Sequence, residues 1–338
     1  MRQLALYKHD MQNTWKVLKQ AMNLSKNKLD ISKIRFNNDI VDDAENISAI
    51  FNNHFSSIGA NLAKDIPPAT NSFSDYLGPP NQNSIFFAPT YNQEVIDIVS
   101  GLKNKKSPGF DEINNFILKS VINSIVAPLV HIFNLSLETG TVPNQMKIAK
   151  VIPLFKKGDN LDVGNYRPIS LLSTLSKILE RIVYVRTEKF LSMHNILSDV
   201  QFGFREKHNT THALMNFVNK VVNALDKSNH LVGIFLDYSK AFDTINHEIL
   251  LKKISHYGVR GKALEWFRSY LFNRQQYVFV KGHNSNLQYV NCGVPQGSLL
   301  GPLLFTIYIN DFRSSNILYL SLFADDSTFF SHQNPQTV

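Results

Sequence analysis

The sequence predicts an α+β fold, and three observations predict it. Strand-like and helix-like segments alternate irregularly, without the regular βαβ rhythm of a doubly wound sheet. Two apolar runs, LVGIFL before Asp237 and LYLSLFA before Asp325, end abruptly at acids, as strands do at the edge of a site. The chain has 338 residues, 43% of them hydrophobic, enough to bury a large core in one or two domains.

Taken in order, residues 1–64 read as a helical N-terminal segment. Trp15, Leu18 and Met22 recur at helical spacing, as do Ile47, Ile50 and Phe51. Residues 65–90 read as a linker, with Pro67, Pro68, Pro79, Pro80 and Pro89 set among Asn and Ser. The remainder, 91–338, forms the third unit. It opens with a short helix over 92–103 and a longer one over 113–139, around Pro128. KIAKVIPLF (147–155) is a strand rich in branched residues, and 171–192 and 208–227 are helical. HLVGIFLD (230–237) is an apolar strand. Residues 246–273 form two helices broken near Gly258 and Gly261. QQYVFVKG and LQYVNCGV suggest two strands with a turn between Gly282 and Asn286. A helix over 299–312 precedes a strand pair, ILYLSLF and STFFS, joined by Ala324, Asp325 and Asp326. There is no internal repeat.

The net charge of +8 suits a polyanionic partner. Cys292 is the single cysteine, which excludes a disulfide within the chain and a cysteine-based zinc site and favours a reducing compartment. The N-terminus MRQLALYKHD lacks the apolar centre of a secretion signal, so the protein is not expected to be secreted. No uninterrupted apolar run is expected to be long enough to cross a bilayer, so no membrane role is expected.

The acids carry the most information. A carboxylate at the end of an apolar strand is costly unless partnered, and a hard cation with oxygen preference, Mg²⁺, is one such partner. Two such ions about 3.5–4 Å apart stabilise the attacking and leaving oxygens of phosphoryl transfer. An isolated Asp-Asp pair more often marks a turn. Three acids, Asp237, Asp325 and Asp326, at the ends of two apolar strands are harder to read that way, although Asp237 and Asp325 lie 88 residues apart. If the three cluster, their repulsion should raise at least one pKa.

FLDYSKAFD (235–243), GVPQGSLLGPLLFTIYINDF (293–312) and LFADDSTFF (322–330) resemble, in order, the A, B and C motifs of reverse transcriptases from non-LTR, LINE-type (jockey-like) retrotransposons. Upstream, LKNKKSPGFDEI (102–113), VIPLFKKGD (151–159), NYRPISLL (165–172) and QFGFREKHNTTHAL (201–214) match in the same order, and FNNHFSSIG (51–59) resembles the segment before the catalytic domain. Seven motifs in order make the resemblance specific.

The resemblance implies an RNA-directed DNA polymerase that copies retrotransposon RNA by two-metal nucleotidyl transfer. Its fold would be the fingers and palm of a right-hand polymerase, with an antiparallel palm sheet. Only 12 residues follow Asp326, so the thumb is expected to be missing and the domain truncated. The alternative is a truncated, non-catalytic nucleic-acid-binding remnant. The cofactor would be two Mg²⁺ ions, with Mn²⁺ as a substitute. The partners would be template RNA, a DNA primer and deoxynucleoside triphosphates, in a ribonucleoprotein of nucleus and cytoplasm. The oligomeric state is not legible.

By the same resemblance Asp237, Asp325 and Asp326 are both the catalytic and the metal-binding residues, and Asp243 is structural. Tyr238, Ser239, Lys240 and Ala241 would turn backbone N–H groups toward the triphosphate. Phe242 would lie under the sugar and exclude a 2′-hydroxyl, or else belong to the core, where a Phe on an apolar segment usually sits. Gln296 and Gly297 would meet the nucleotide and template base, a reading compatible with a plain Pro-Gln-Gly turn capped by Ser298. Lys156, with Lys157 the less favoured neighbour, and Arg167 would clamp the triphosphate from a strand pair. Phe202, Arg205, Lys207 and His208 would follow the template by stacking and phosphate contact, unless Phe202 and Phe204 are core. Positive charge should gather near Lys105, Lys106, Lys156, Lys157, Arg167, Arg205 and Lys207. The strands ending at Asp237 and Asp325 should be neighbours in one sheet, with helices 246–273 and 299–312 over one of its faces.

Overall fold

The computed structural model of the protein describes residues 14–15, 31–67, 69–104, 107–312 and 318–333. Within the stretch 1–64 read as helical, residues 34–41 form a hairpin instead. Ile34–Phe36 (β1) and Asp39–Val41 (β2) form an antiparallel hairpin. Asn37 and Asn38, both at positive φ (50° and 70°), make its two-residue turn. Asparagine is among the residues with a side chain that tolerate that backbone best, which favours a hairpin here. The helix begins only at Ala44 and runs to Lys64 (α1), with the Asp43 side chain accepting from the Asn46 N–H at 2.9 Å. Trp15 is described, but Leu18 and Met22 lie outside the described residues.

Residues 65–90 are irregular apart from a single 3₁₀ turn at Phe73–Tyr76. The second half of the segment is nonetheless fastened to the body. The Asn81 and Ile85 N–H groups donate to the His256 and Gly258 carbonyls at 3.0 Å each, and the Ile85 side chain is buried.

Asn92–Gly101 (α2) and Asn115–Thr139 (α3) follow, then Ile148–Phe155 (β3), Tyr166–Leu172 (β4) and Thr174–Met193 (α4). The expected helix over 171–192 therefore starts three residues late, because Leu171 and Leu172 complete a strand and Ser173 caps the helix. Thr210–Asp226 (α5), His230–Asp237 (β5), His247–His256 (α6) and Lys262–Leu271 (α7) come next. Arg274–Val280 (β6), His283–Asn284 (β7) and Gln288–Val290 (β8) precede Leu300–Tyr308 (α8), Tyr319–Phe323 (β9) and Asp326–Gln333 (β10). Gly282 (φ +86°) with Lys281 (φ 47°) closes the β6–β7 turn, which needs two left-handed residues. The second strand of this region is shorter than LQYVNCGV suggests, since pairing with β6 ends at Val290.

Two cores result. The larger packs α2, α3, α4, α6, α7 and α8 together around Phe133, Ile178, Trp266, Phe267 and Leu304. Trp266 lies stacked on Tyr270 (5.5 Å, 10°) and donates its indole N–H to the Ser136 hydroxyl at 3.0 Å, satisfying the one polar group it buries. The smaller core joins β1 and α1, through Ile34, Ile47, Phe51 and Phe55, to the five-stranded sheet, through Val151, Tyr166 and Val278. That sheet runs β4-β3-β6-β7, with β8 also on β6. Its β3–β6 pair is parallel and the rest antiparallel.

The three-stranded sheet has the order β5-β10-β9, all antiparallel pairs. The strands ending at Asp237 and before Asp325 thus share a sheet but are not neighbours, because β10 lies between them. One face of this sheet is covered by α5, which the sequence did not assign to it, while the segment 299–312 reaches the sheet through Phe312, 6.3 Å from Phe329. Phe217 of α5 sits edge-on to Phe235 and Phe330, at 6.2 and 5.8 Å. Nor is β5 a buried strand. It is an edge strand whose Val232, Ile234 and Phe235 remain more than half exposed. Finally, α3 is long and apolar enough to cross a membrane by length and composition, with a window of mean hydropathy 1.8, against the sequence expectation. One of its faces, Leu118, Ile122, Val126, Leu129 and Phe133, is buried in the larger core.

Candidate active site

The β9–β10 hairpin closes in two residues, since Phe323 pairs with Asp326 and only Ala324 and Asp325 lie between. Ala324 adopts φ +57°, a conformation that strains a residue with a Cβ and recurs at functional turns. On the other side of β10, Asp326 pairs directly with Asp237. Paired residues of an antiparallel ladder project from one face with Cβ atoms about 4.5–5.5 Å apart. The fold therefore brings two of the three acids side by side and places Asp325 next to them on the turn.

The electrostatics agree. Burial, followed by the charges of Asp325 and Asp237, raises the Asp326 carboxyl above the ordinary carboxylate range. The two neighbouring charges contribute the mutual repulsion expected of clustered acids, which a dication would relieve. Among the described residues no three His, Cys, Asp or Glu side chains already converge on one point. In chemistry, the three carboxylates are the hard oxygen donors Mg²⁺ prefers.

The backbone after Asp237 turns sharply at Lys240 (φ 53°) and delivers Phe242 and Asp243. Tyr238 is partly buried against the larger core and Ala241 is buried, whereas Ser239 is exposed. Lys240 reaches back to the five-stranded sheet, donating its ammonium to the carbonyls of Gly164 and Tyr166 at 3.1 and 3.2 Å. Its pKa is lowered, by desolvation first and also by the charges of Lys156 and Arg167, with Asp243 opposing. Lys156 lies just past β3 and Arg167 near the start of β4, opposite Leu154; both are exposed. Lys240, Lys156 and Arg167 thus lie near one another, with the Asp243 carboxylate among them. Lys105 and Lys106 lie outside the described residues.

Gln296 is held rather than free. Its side-chain amide donates to both oxygens of Asp243, at 3.0 and 2.9 Å, and its backbone carbonyl accepts from the Ser170 N–H at 2.8 Å. Gly297, at φ +130°, comes so close to the Ser170 carbonyl that a Cβ would stand 2.5 Å from it. Phe242 stacks on Phe305 (4.7 Å, 23°) and meets the edge of Phe204 (5.9 Å). It is partly buried at the rim of the larger core, contacts that belong to the core reading of this ring.

The QFGFREKH segment runs beside the β9–β10 turn. Arg205 spends its guanidinium within its own loop, donating to the Ser198 carbonyl at 2.6 Å. His208 lies 2.9 Å from the Glu206 carbonyl and 5.8 Å, ring to ring, from Phe202. Lys207 takes φ 61° and is exposed. Phe204 is 48% exposed, so it is not core.

Reading residues in isolation also understated Asp243. Its carboxyl is pushed up to about 6, burial outweighing the Gln296 bond and the Lys240 charge. An acid whose folded pKa is raised binds its proton more tightly in the fold. It therefore stabilises fully below about pH 4 and loses that contribution as pH rises through about 6. The stability of Asp243→Asn relative to the parent should then rise by on the order of 2 kcal/mol between pH 4 and 7. Urea unfolding of both proteins across that range is the check, and a difference that stays flat would contradict it.

Carboxylates paired across an antiparallel sheet, with a third on the adjoining turn, are the kind of oxygen-donor set that two-metal phosphoryl transfer uses. Comparison with known proteins agrees. Residues 155–337 match the family model described as reverse transcriptase (RNA-dependent DNA polymerase). Over 275 residues the chain is 32% identical to a probable RNA-directed DNA polymerase from transposon BS of Drosophila melanogaster, covering 77% of the chain and 30% of that protein. It is 34% identical to the RNA-directed DNA polymerase from mobile element jockey of Drosophila funebris, covering 79% of the chain and 29% of that protein. For the probable RNA-directed DNA polymerase from transposon X-element of D. melanogaster the values are 33%, 75% and 28%. The chain belongs to the reverse transcriptase family. Within it, its kinship is with the enzymes of non-LTR, LINE-type retrotransposons. It spans about 30% of the length of these relatives.

Proposed function

We propose that this chain is the catalytic part of a retrotransposon RNA-directed DNA polymerase, extending a DNA primer on an RNA template from deoxynucleoside triphosphates. The observation that carries the reading is the register of Asp326 against Asp237, with Asp325 on the adjoining turn. The three-stranded sheet is the palm in this reading, and the β3–β4 hairpin belongs to the fingers.

Asp237, Asp325 and Asp326 would hold two Mg²⁺ ions, or Mn²⁺ in their place, which supply Lewis-acid stabilisation of the transferring phosphoryl group. The protein's own residues do the positioning. Lys156 and Arg167 bind the triphosphate, Arg167 with the bidentate geometry a guanidinium offers phosphate. The backbone of 238–241 leads from the carboxylates toward that clamp. Asp243 orients Gln296 and Gly297 beside it, and Phe242 closes the sugar side. Phe202, Phe204, Lys207 and His208 edge the template path; Arg205 shapes their loop. In the cell the protein would act in a ribonucleoprotein of nucleus and cytoplasm.

The test is primer extension on a primed RNA oligonucleotide. Incorporation should require Mg²⁺ or Mn²⁺ and the complementary deoxynucleotide, and RNA–DNA binding without divalent-dependent extension by this chain and by a longer polypeptide carrying it would leave only the remnant reading. Binding of the hybrid should also weaken steeply with salt. If Lys156, Lys157, Arg167 and Lys207 each neutralise a phosphate, log K should fall with log salt at a slope of roughly −3 to −4. Fluorescence anisotropy between 50 and about 200 mM salt measures this, the range over which counterion release is usually read. A slope near zero would remove the phosphate contacts from the proposal.

A further inference from the structure

We infer that Gln201 and Gly203 are positioning residues that clamp the Ala324–Asp325 turn and so set where Asp325 points. The inference rests on the reading of Asp325 and Asp326 as catalytic. Gln201 is 1% exposed and belongs to no regular helix or named strand. Its side-chain carbonyl accepts from the Ala324 N–H at 3.1 Å and from the Gly203 N–H at 2.7 Å. Its amide donates to the Ala324 carbonyl at 3.4 Å. One side chain thus holds both polar backbone groups of the residue before Asp325.

The backbone around it adds a second grip. The Leu322 N–H donates to the Val200 carbonyl and the Phe202 N–H to the Leu322 carbonyl, both at 2.8 Å, forming a parallel bridge between Gln201 and Leu322. Gly203 lies flat against the turn, where a Cβ would overlap the Ala324 nitrogen. Nothing larger than glycine fits without moving the turn.

The physical case is one of strain and restraint. Ala324 holds φ +57°, which costs a residue with a Cβ on the order of 1 kcal/mol or more and persists only where surroundings over-determine it. The Phe323–Asp326 pair of the hairpin itself asks for that conformation, and the loop 200–203 adds a restraint from outside the hairpin. The Gln201 amide is buried and spends its capacity on it, so the loop 200–203 over-determines the turn. Released, Ala324 would relax and carry the Asp325 carboxylate away from the Asp237–Asp326 pair. Outer groups that orient a metal-holding carboxylate typically change affinity or activity by 10–100-fold when removed.

Amide hydrogen exchange on this chain, without divalent metal, tests the clamp directly. In Gln201→Leu the peptide spanning 322–326 should exchange at least about tenfold faster, while the larger core stays protected. Gln201→Asn, one methylene shorter, keeps a buried amide yet cannot span both N–H groups, and should show the same increase if the leucine variant fails to fold. Gln201→Glu keeps the acceptor and should restore most of the protection. In primer extension, Gln201→Asn should raise the Mg²⁺ concentration for half-maximal rate about 10-fold with little change in KM for the nucleotide. Unchanged exchange at 322–326 in both the Leu and Asn variants overturns the clamp. Asp325→Asn, assayed in parallel, separates the two ideas: if it retains extension the catalytic reading fails, whereas exchange still reports on the clamp.

Discussion

Asp237→Asn and Asp325→Asn are each expected to cut primer extension by about a thousandfold or more, several kcal/mol of transition-state stabilisation at about 1.4 kcal/mol per tenfold. The substitution keeps the side chain's shape and removes one charged oxygen ligand. The ladder pairing explains why either loss should be so large. Asp237 and Asp326 sit opposite one another across β5 and β10, and Asp325 occupies the turn of the same hairpin. Asp243, the next acid along the chain from Asp237, is already engaged with Gln296 and is not free to take up the missing charge. Binding of an RNA–DNA hybrid should persist, because the basic groups lie on the β3–β4 hairpin and in the 201–208 loop. A readout free of turnover is available: Fe²⁺ with ascorbate and peroxide should cut the backbone near residues 237 and 325, and the cuts should fade in either variant. Near-normal extension by either variant, with a folded protein, would falsify the assignment.

Phe242→Ala should lower discrimination against ribonucleotides by on the order of 100-fold, read as the ratio of specificity constants for a ribonucleotide and its deoxy counterpart. The ring is fixed on two sides, stacked on Phe305 and edge-on to Phe204, so it does not swing away from an added oxygen. Those contacts also explain a cost. Truncating a fully buried Phe costs about 3–5 kcal/mol, and this half-buried ring should fall toward or below the low end. Deoxynucleotide incorporation by the same variant, at a temperature where it remains folded, is the internal control. If that incorporation persists with discrimination unchanged, Phe242 serves only the core against Phe305 and the sugar is sensed elsewhere.

What was legible in the sequence follows the range of the interactions involved. The two glycines at 258 and 261 marked a real break between α6 and α7, because a helix stop is written in adjacent residues. The two apolar strands ending at acids were legible for the same reason. Their order in the sheet was not: β10 slips between β5 and β9 through a pairing that joins residues nearly a hundred positions apart. The early hairpin at Asn37-Asn38 was hidden by the apolar spacing of the helix after it, although its turn residues are visible in hindsight. Gln201 opens the QFGFREKHNTTHAL motif, yet nothing in the motif gave it a role. A buried amide declares itself only when the backbone it serves is known, and the Cβ that Gly203 must lack is defined by a turn more than a hundred residues downstream. Asp243 was misjudged in weight rather than in kind: it is structural, yet what it structures is Gln296.

The join between α1 and the five-stranded sheet has a practical meaning for anyone dissecting this protein. The run of prolines at 65–90 invites a cut there, and a recombinant fragment starting at residue 91 would look like a natural unit. Such a fragment would lose Ile34, Ile47, Phe51 and Phe55 from the smaller core and leave Val151, Tyr166 and Val278 facing water. It would also uncover one face of the sheet whose β3–β4 pair carries Arg167. Poor solubility of that fragment would therefore report a missing wall of its own core, and restoring residues 31–64, even as a separate peptide, should rescue it.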